Sequence, residues 1–243
     1  MTATKANIIS QLRKEIFSLQ GLQSSSAQTD IDLGLGAINY AFPGSIFPLS
    51  AVHEFIGTCA EDLAATSAFI SCLVSSLIKN GSVAVWISSS ATIFPPALKP
   101  LGISPDKIIF IHSKSQKEVL WIIEEALKCE GLAAVIAEVK ELGFTESRRL
   151  QLAVEKSHVT GFVIRSGFSK PGINACVSRW RITAHPSVAG DDLPGIGFPA
   201  WKIELLKIRN GKPGNWNVSL INGRLQIAPT VSVRFENEHR KIG

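Results

Sequence analysis

The sequence contains four cysteines among its 243 residues, and no two of them stand in a CxxC spacing. Cys59, Cys72, Cys129 and Cys176 are scattered along the chain, which argues against both a zinc site and a disulfide framework. Cys72 and Cys129 fall in apolar helical patterns, where we expect buried thiols.

Two kinds of apolar segment are also missing. The chain begins with MTATKANIISQLRKEIF, which has no apolar core of a secretory signal, and we find no apolar run long enough to span a bilayer. We therefore expect a cytoplasmic protein that does not contact the membrane.

Charged residues are few, at 19% of the chain, whereas apolar residues make up 45%. A disordered chain shows the reverse balance, so the composition predicts one large domain with a substantial core. The formal net charge of +5 is mildly basic. It permits an acidic partner such as nucleic acid without requiring one.

The N-terminal residues differ from the rest of the chain. Residues 4–20 carry apolar side chains at helical spacing and predict an amphipathic helix, and residues 21–29 are rich in Ser and Gln, as in a linker. The helix either packs against its own domain or docks on another chain. We divide the chain into this helix and linker (1–29), a core domain (30–228) and a basic C-terminal tail (229–243).

Strands and helices alternate after residue 50. We predict strands at 51–56, 82–87, 107–111, 132–137 and 159–165, and helices at 60–79, 117–129 and 145–158, the last capped by Thr145. Strands separated by single helices indicate right-handed crossovers and a mainly parallel sheet. Three further strands at 178–184, 200–208 and 216–221, joined by Gly, Pro and Asn turns, predict an antiparallel extension of that sheet. The fold class is therefore α/β.

The turn that begins at Gly57, after the first strand, is where such a domain would hold phosphate. A working loop needs converging glycines, a lysine for the phosphates and a hydroxyl for magnesium. Those positions hold Asp62, Leu63 and Ala64. With Glu61, Asp62 places two carboxylates at the helix N-terminus, which suits the helix dipole and repels a polyanion. We expect an ordinary strand-to-helix turn that binds no nucleotide and hydrolyses no ATP; a divergent ATPase is the alternative.

No other set of residues predicts catalysis. The five histidines are dispersed without HxxxH or HExxH spacing, and no serine lies in a GxSxG turn. Glu138 ends an apolar strand and has the position of a metal-side carboxylate, but it has no intact phosphate loop to serve. We expect no catalytic residue, no metal and no cofactor.

Several strings resemble the RecA family. The string HEFIGTCAEDLAAT resembles the strand and phosphate loop of that family. The string LAAVIAEV resembles the strand that carries its second acidic motif, and WKIELLKIRNGKPG resembles its late basic strand. The RecA-like ImuA family of bacterial mutagenic repair is more specifically similar to PPALKPLGI, FTESRRLQLAVEKSHVTGFVIRS, SRWRITA and FPAWKIELLKIRNGKPG. The resemblance covers residues 35–220 and implies a RecA-like three-layer sandwich.

Departures from RecA imply a loss of activity. In RecA a glutamate after the second strand activates water, and the matching position here is Ser90. The acidic residue of the second motif falls on Glu138 in place of aspartate. The two loops that bind DNA in RecA are short here, at 140–144 and 166–177. The resemblance therefore implies a non-catalytic protein that forms no active recombinase filament by itself.

The resemblance also implies a function. An ImuA-type adaptor works in SOS-induced translesion DNA synthesis, binds an ImuB-type inactive Y-family polymerase, acts indirectly with an error-prone replicative-type polymerase and also engages RecA. The alternative is a SulA-type cell-division inhibitor, which shares the degenerate RecA-like plan and binds the division GTPase. Whether the chain contacts DNA directly stays open.

Basic residues are the candidate partner contacts. They are Arg148, Arg149, Lys207, Arg209, Lys212, Arg240 and Lys241. Lys207 and Arg209 match the late basic strand that reaches a neighbouring subunit in RecA, but they also fit solvated positions on an edge strand. Residues 201–243 hold eight basic and three acidic side chains, which suits either a partner or DNA contact or a soluble tail.

Overall fold

The computed structural model describes residues 31–78, 81–90, 93–167, 172–188 and 197–227. The predicted N-terminal helix and linker and the predicted C-terminal tail lie outside these residues. The predicted division into three segments therefore stays a prediction.

The described residues form nine strands, three α-helices and four short 3-10 helices, of which two precede the first strand and two lie between the second and third strands. The strands are β1 (Val52–Ile56), β2 (Val83–Ser88), β3 (Ile108–His112), β4 (Leu132–Val139), β5 (Thr160–Arg165), β6 (Ser178–Val188), β7 (Phe198–Ile208), β8 (Gly214–Ile221) and β9 (Arg224–Ile227). The α-helices are α1 (Ala60–Leu77), α2 (Gln116–Leu127) and α3 (Phe144–Ser157). The 3-10 helices are Gly36–Ala41, Pro43–Ser45, Pro95–Leu101 and Pro105–Lys107. The strand β9 was not predicted from the sequence.

All nine strands form one sheet in the order β3-β2-β4-β5-β1-β6-β7-β8-β9. In this order, the six strands from β3 through β6 pair in parallel with their neighbours. The pairs β6–β7, β7–β8 and β8–β9 are antiparallel. This confirms the predicted parallel sheet with an antiparallel C-terminal extension.

The predicted direction of β6 is wrong. Strand β6 pairs in parallel with β1, with Glu54 opposite Arg179, so the antiparallel part begins only at β7. Residues 166–177 connect β5 to β6, and at about 3.3 Å per residue this connection is long enough to return the chain to the starting edge of β1. The main-chain N–H of Val177 then donates to the carbonyl of Val52 at 2.9 Å, which fixes the new pairing.

Helices cover both faces of the sheet and give three layers. On one face, α1 buries Phe69 and Leu73 against sheet residues such as Trp86 and Trp180. On the other face, α2 and α3 form a second apolar cluster, whose members include Val119, Ile123, Val154, Val52 and Val135. Because β1 contributes alternate side chains to the two clusters, it needs apolar residues on both faces, as expected for a central parallel strand.

The helix α1 is long and apolar enough, by length and composition, to cross a membrane, although we expected no such run. Its side chains Phe69, Ile70 and Leu73 are fully buried against the sheet. The helix α1 therefore packs in the core of the domain.

The predicted cap of α3 is wrong. The helix begins at Phe144, and Gly143 is its N-cap without a side-chain hydrogen bond. Ser147 Oγ donates to the Gly143 carbonyl at 2.7 Å. A Cβ atom on Gly143 would lie 2.5 Å from Glu146 Oε2, so the carboxylate of Glu146 leans back over the cap position.

One of the two cysteine predictions is also wrong. Cys72 is buried in α1, as predicted, but Cys129 is exposed. The helix α2 ends at Leu127, so Cys129 lies in the turn beyond the apolar helical pattern on which the prediction rested.

Candidate functional site

The turn between β1 and α1 is filled by the side chain of Leu63. Only residues 57–59 separate the two elements, and Cys59 is the N-cap of α1 without a side-chain cap hydrogen bond. A Cβ atom built on Gly57 would lie 2.5 Å from Leu63 Cδ2 and 2.9 Å from Leu63 Cγ. The leucine therefore covers the glycine main chain that a phosphate loop leaves exposed to its ligand.

The two carboxylates in the first turn of α1 differ in environment. Asp62 is buried, and its Oδ1 accepts a hydrogen bond of 3.2 Å from the main-chain N–H of Ala184 in β6. Thr58 Oγ1 lies 3.5 Å from Asp62 Oδ2. Glu61 is exposed, and its pKa is lowered by a hydrogen bond from its own main-chain N–H and then by the Cys59 side chain. Asp62 thus ties the start of α1 to β6, and both acids add negative charge at this helix N-terminus.

An apolar cleft of about 600 Å³ lies beside this turn. The first turns of α1, including Leu63 and Ala64, form one wall, and Phe94 and Leu98 belong to the opposite wall around the 3-10 helix Pro95–Leu101. Glu138 is the charged residue of its lining, and Glu138 Oε1 accepts a hydrogen bond of 3.0 Å from Trp86 Nε1. Apolar walls with a carboxylate suit an apolar group or a cation better than a polyphosphate.

The resemblance to RecA predicts the water-activating position at Ser90. Ser90 follows β2 and is exposed, and its carbonyl accepts a hydrogen bond of 2.7 Å from Ser88 Oγ. Over the described ranges, no three His, Cys, Asp or Glu side chains are grouped as a metal site requires.

The arginines of α3 are exposed and already paired. Arg149 forms an ion pair with Glu124 of α2 and lies beside a groove of about 490 Å³ between the two helices. Arg148 Nη1 lies 3.9 Å from Glu155 Oε1 on its own helix. These pairs leave the guanidinium groups at the surface, with 49% of the Arg148 side chain and 60% of the Arg149 side chain exposed.

The edge-strand interpretation of Lys207 and Arg209 is wrong. Strand β7 lies between β6 and β8, while the edges of the sheet are β3 and β9. Lys207 Nζ donates to the carbonyl of Asn174 at 3.1 Å, and Arg209 Nη2 donates to the carbonyl of Ala175 at 3.3 Å. Both cations therefore hold the connection between β5 and β6 in place.

That connection also joins the two groups of predicted contact residues. The main-chain N–H of Ala175 donates to Ser147 Oγ of α3 at 2.9 Å, so α3 and the end of β7 flank the same segment. Lys212 is exposed in the turn before β8. Arg240 and Lys241 lie outside the described residues.

The sequence analysis did not predict a buried ion cluster or the exposed aromatic residue Phe94 that lines the cleft. Glu54 of β1 forms ion pairs with Arg165 of β5 and Arg179 of β6, and all three side chains are largely buried. The signal was present, because Glu54 interrupts an otherwise apolar strand and Arg165 ends another. Phe94, with 68% of its surface exposed, lies in a Pro-rich segment that shows no periodic pattern.

Comparisons with known proteins agree with the topology. No family model matches the chain. The crystal structure of the RadB recombinase shares its fold, with a TM-score of 0.59 at 13% identity over 82% of this chain and 100% of that one. This confirms the predicted RecA-like fold.

Two curated relatives, both named Protein ImuA, come from Caulobacter vibrioides strains NA1000 / CB15N and ATCC 19089 / CIP 103742 / CB 15. Each is 37% identical over 199 residues, which cover 76% of this chain and 81% of the relative. The relatives and the fold together support an accessory role in translesion synthesis. The chain belongs to the ImuA family.

Proposed function

We propose that this chain is a non-catalytic accessory protein of SOS-induced translesion DNA synthesis. It acts by binding an ImuB-type inactive Y-family polymerase and, as a second partner, RecA. Family membership supports the pathway and favours this function over a SulA-type cell-division inhibitor. The position of Leu63 over Gly57 is the observation that supports the non-catalytic part.

The physical reason is the replacement of the side chains that bind phosphate in a working loop. A phosphate loop works because main-chain N–H groups and a lysine converge on the anion. Here the leucine side chain covers Gly57, none of the described residues that line the neighbouring cleft is a lysine, and Asp62 and Glu138 add negative charge near it. A nucleotide would lose its hydration at this turn without gaining compensating contacts.

The groove between α2 and α3 is the surface that we assign to the ImuB-type partner. It is lined by Trp121, Leu120 and Leu150 together with the Arg149–Glu124 ion pair. Trp121 is 59% exposed although it is large and apolar. Exposed tryptophan beside arginine is typical of the residues that dominate binding energy at protein interfaces.

Co-purification of the full-length chain with its ImuB-type partner tests the proposal. The intact protein should retain the partner, and Trp121→Ala should weaken binding at least about tenfold, as for a central interface residue. Tyr40→Ala removes an even more exposed aromatic side chain elsewhere on the surface, so this variant should bind the partner as the wild type does. The same preparation from damage-induced cells, probed for RecA, tests the second partner. Failure of the intact protein to retain the ImuB-type partner would overturn the proposed function.

Calorimetry with ATP and magnesium tests the non-catalytic part separately. We expect no heat of binding at millimolar nucleotide. A dissociation constant below about 1 mM, or about −4 kcal/mol, would contradict it.

A further inference from the structure

The charges of the described residues are divided unevenly along the chain. From residue 31 to residue 167 the described residues hold ten Lys and Arg against thirteen Asp and Glu. From residue 178 to residue 227 they hold seven Lys and Arg against one Glu. The sheet extension β6–β9 is therefore strongly basic, while the helix-covered part of the domain is slightly acidic. Such asymmetry is typical of a surface that meets a polyanion.

The extension has one face packed and one face open. In β7 the side chains of Trp201, Ile203 and Leu205 are buried in the same cluster as α1, whereas Lys202 between them is exposed. Because side chains alternate along a strand, the cross-strand register identifies the residues that share the face of Lys202. Arg179 shares this face but is largely buried in its ion pair with Glu54. We call the remaining set the open face: Arg181, Thr183, Lys202, Glu204, Lys207, Asn215, Asn217 and Arg224.

The residues of the open face form polar rows across the strands. One row is Arg181, Glu204 and Asn215, and its neighbour is Thr183, Lys202 and Asn217. The second row sets Lys202 between a hydroxyl and an amide group, whereas in the first row Glu204 lies between Arg181 and the amide of Asn215. Cationic, hydroxyl and amide side chains are those that contact nucleic-acid phosphates.

The positive charge of this face is only partly neutralised from within. Glu204 is its carboxylate, and it lies 3.1 Å from Lys202 Nζ and 3.9 Å from Arg181 Nη1. Lys202 and Arg181 still expose 45% and 42% of their side chains, and Lys207 and Arg224 are exposed too. One acid among four cations leaves a net positive surface.

We propose that the open face binds the sugar–phosphate backbone of duplex DNA without reading its sequence. The choice of DNA over another polyanion rests on the proposed function. The preference for duplex follows from the aromatic residues: Trp201 and Trp216 belong to the packed side of the extension, so the rows of the open face offer no indole on which unpaired bases could stack. Contacts to phosphates alone give salt-dependent, sequence-independent binding.

Fluorescence anisotropy of the full-length protein with a labelled 20-base-pair duplex, at 50 mM and 200 mM salt, tests the proposal. We expect a dissociation constant in the micromolar range at the lower salt and a steep loss of affinity at the higher salt. The double variant Lys202→Glu with Arg224→Glu should weaken binding at least about tenfold and reduce the salt slope by about two. Lys114→Glu with Lys156→Glu changes the net charge equally at exposed sites outside the face, and should weaken binding less than about threefold.

Three results would overturn the proposal: no duplex binding by the intact protein at 50 mM salt, an equal loss in the control variant, or tighter binding of a 20-nucleotide single strand. Far-UV circular dichroism confirms that the variants are folded. Co-purification of the intact chain with the ImuB-type partner, measured beside duplex binding, separates the two proposals. If the intact chain retains the partner but no duplex, the open-face proposal fails and the proposed function stands.

Discussion

Glu54 Oε1 lies 3.3 Å from Arg165 Nε, with 1% of the glutamate side chain and 4% of the arginine side chain exposed. Arg179 forms an ion pair with the other carboxylate oxygen of Glu54. Strand β1 lies between β5 and β6, so the acid of the middle strand holds an arginine on each side. Arg179 Nη2 also donates to the Gly172 carbonyl at 2.6 Å, which links the cluster to the connection between β5 and β6.

Replacement of Glu54 by Gln should therefore be strongly destabilising. The substitution keeps the volume but leaves two largely buried guanidinium groups without a counter-charge, at a cost of about 3–5 kcal/mol in the free energy of unfolding. Urea unfolding of the variant and the wild type measures this loss of free energy. Glu204→Gln removes a carboxylate from exposed ion pairs and should cost less than about 1 kcal/mol. Equal costs for the two variants would show that the buried cluster contributes no more than a surface pair.

Gly57→Ala should be destabilising because of Leu63. The new methyl group would collide with Leu63 Cδ2 and Cγ, and overpacking of this kind costs about 1–3 kcal/mol. Leu63→Ala in the same chain removes the collision, so the costs of the two substitutions should not add. Gly131→Ala is the matched control, since a methyl group there meets no atom within 4 Å. If urea unfolding of the two single variants and the double variant gives additive costs, Leu63 does not contact Gly57 as described.

Two of the four thiols should react readily with an alkylating reagent, and the other two should be protected from it. Burial raises the pKa of Cys72 to about 12, and burial followed by the charge of Glu54 raises that of Cys176 to about 12. Cys59 and Cys129 are exposed. Alkylation of the native protein at pH 8, followed by mass spectrometry, should modify Cys59 and Cys129 first and the other two only after unfolding. Rapid modification of Cys72 would place α1 outside the core.

The order of elements could be predicted from the sequence because apolar periodicity separates buried strands from amphipathic helices. The direction of β6 could not, because SRWRITA has the same alternation in a parallel and an antiparallel strand. The loss of the phosphate-binding residues was visible in Asp62, Leu63 and Ala64. The packing of Leu63 on Gly57 was not, because it depends on how closely α1 follows β1.

The surfaces were harder to predict than the site. Net charge showed a basic C-terminal stretch, but only the strand register shows that Lys202 of that stretch shares a face of the sheet with Arg181. Lys207 was interpreted as an edge-strand residue, whereas pairing with β8 places β7 inside the sheet. Long-range pairing sets such neighbours, and local sequence carries little information about it.

His53 should make the stability of the protein depend on pH. Its side chain is fully buried; Nε2 lies 2.9 Å from the Pro48 carbonyl and Nδ1 lies 2.6 Å from Ser178 Oγ. The ring therefore donates from Nε2 and accepts at Nδ1, which is the neutral form. Burial lowers the pKa of His53 from its ordinary 6.5 to about 3, against a smaller raising effect of the hydrogen bond to Pro48.

The sign of the pH effect follows from proton uptake. Between pH 6.5 and pH 3 the unfolded chain binds a proton at His53 and the folded chain does not, so the free energy of unfolding falls as the pH falls. The contribution is at most about 1.4 kcal/mol per pH unit. His53→Gln keeps an amide donor for Pro48 and removes the titration. Its deficit relative to the wild type should therefore shrink by about 2 kcal/mol between pH 7 and pH 5 in urea unfolding. His185→Gln, at an exposed histidine, should follow the wild-type pH dependence. A difference in the free energy of unfolding between His53→Gln and the wild type that stays constant with pH would contradict the prediction. It would mean that the folded protein protonates His53 as readily as the unfolded chain.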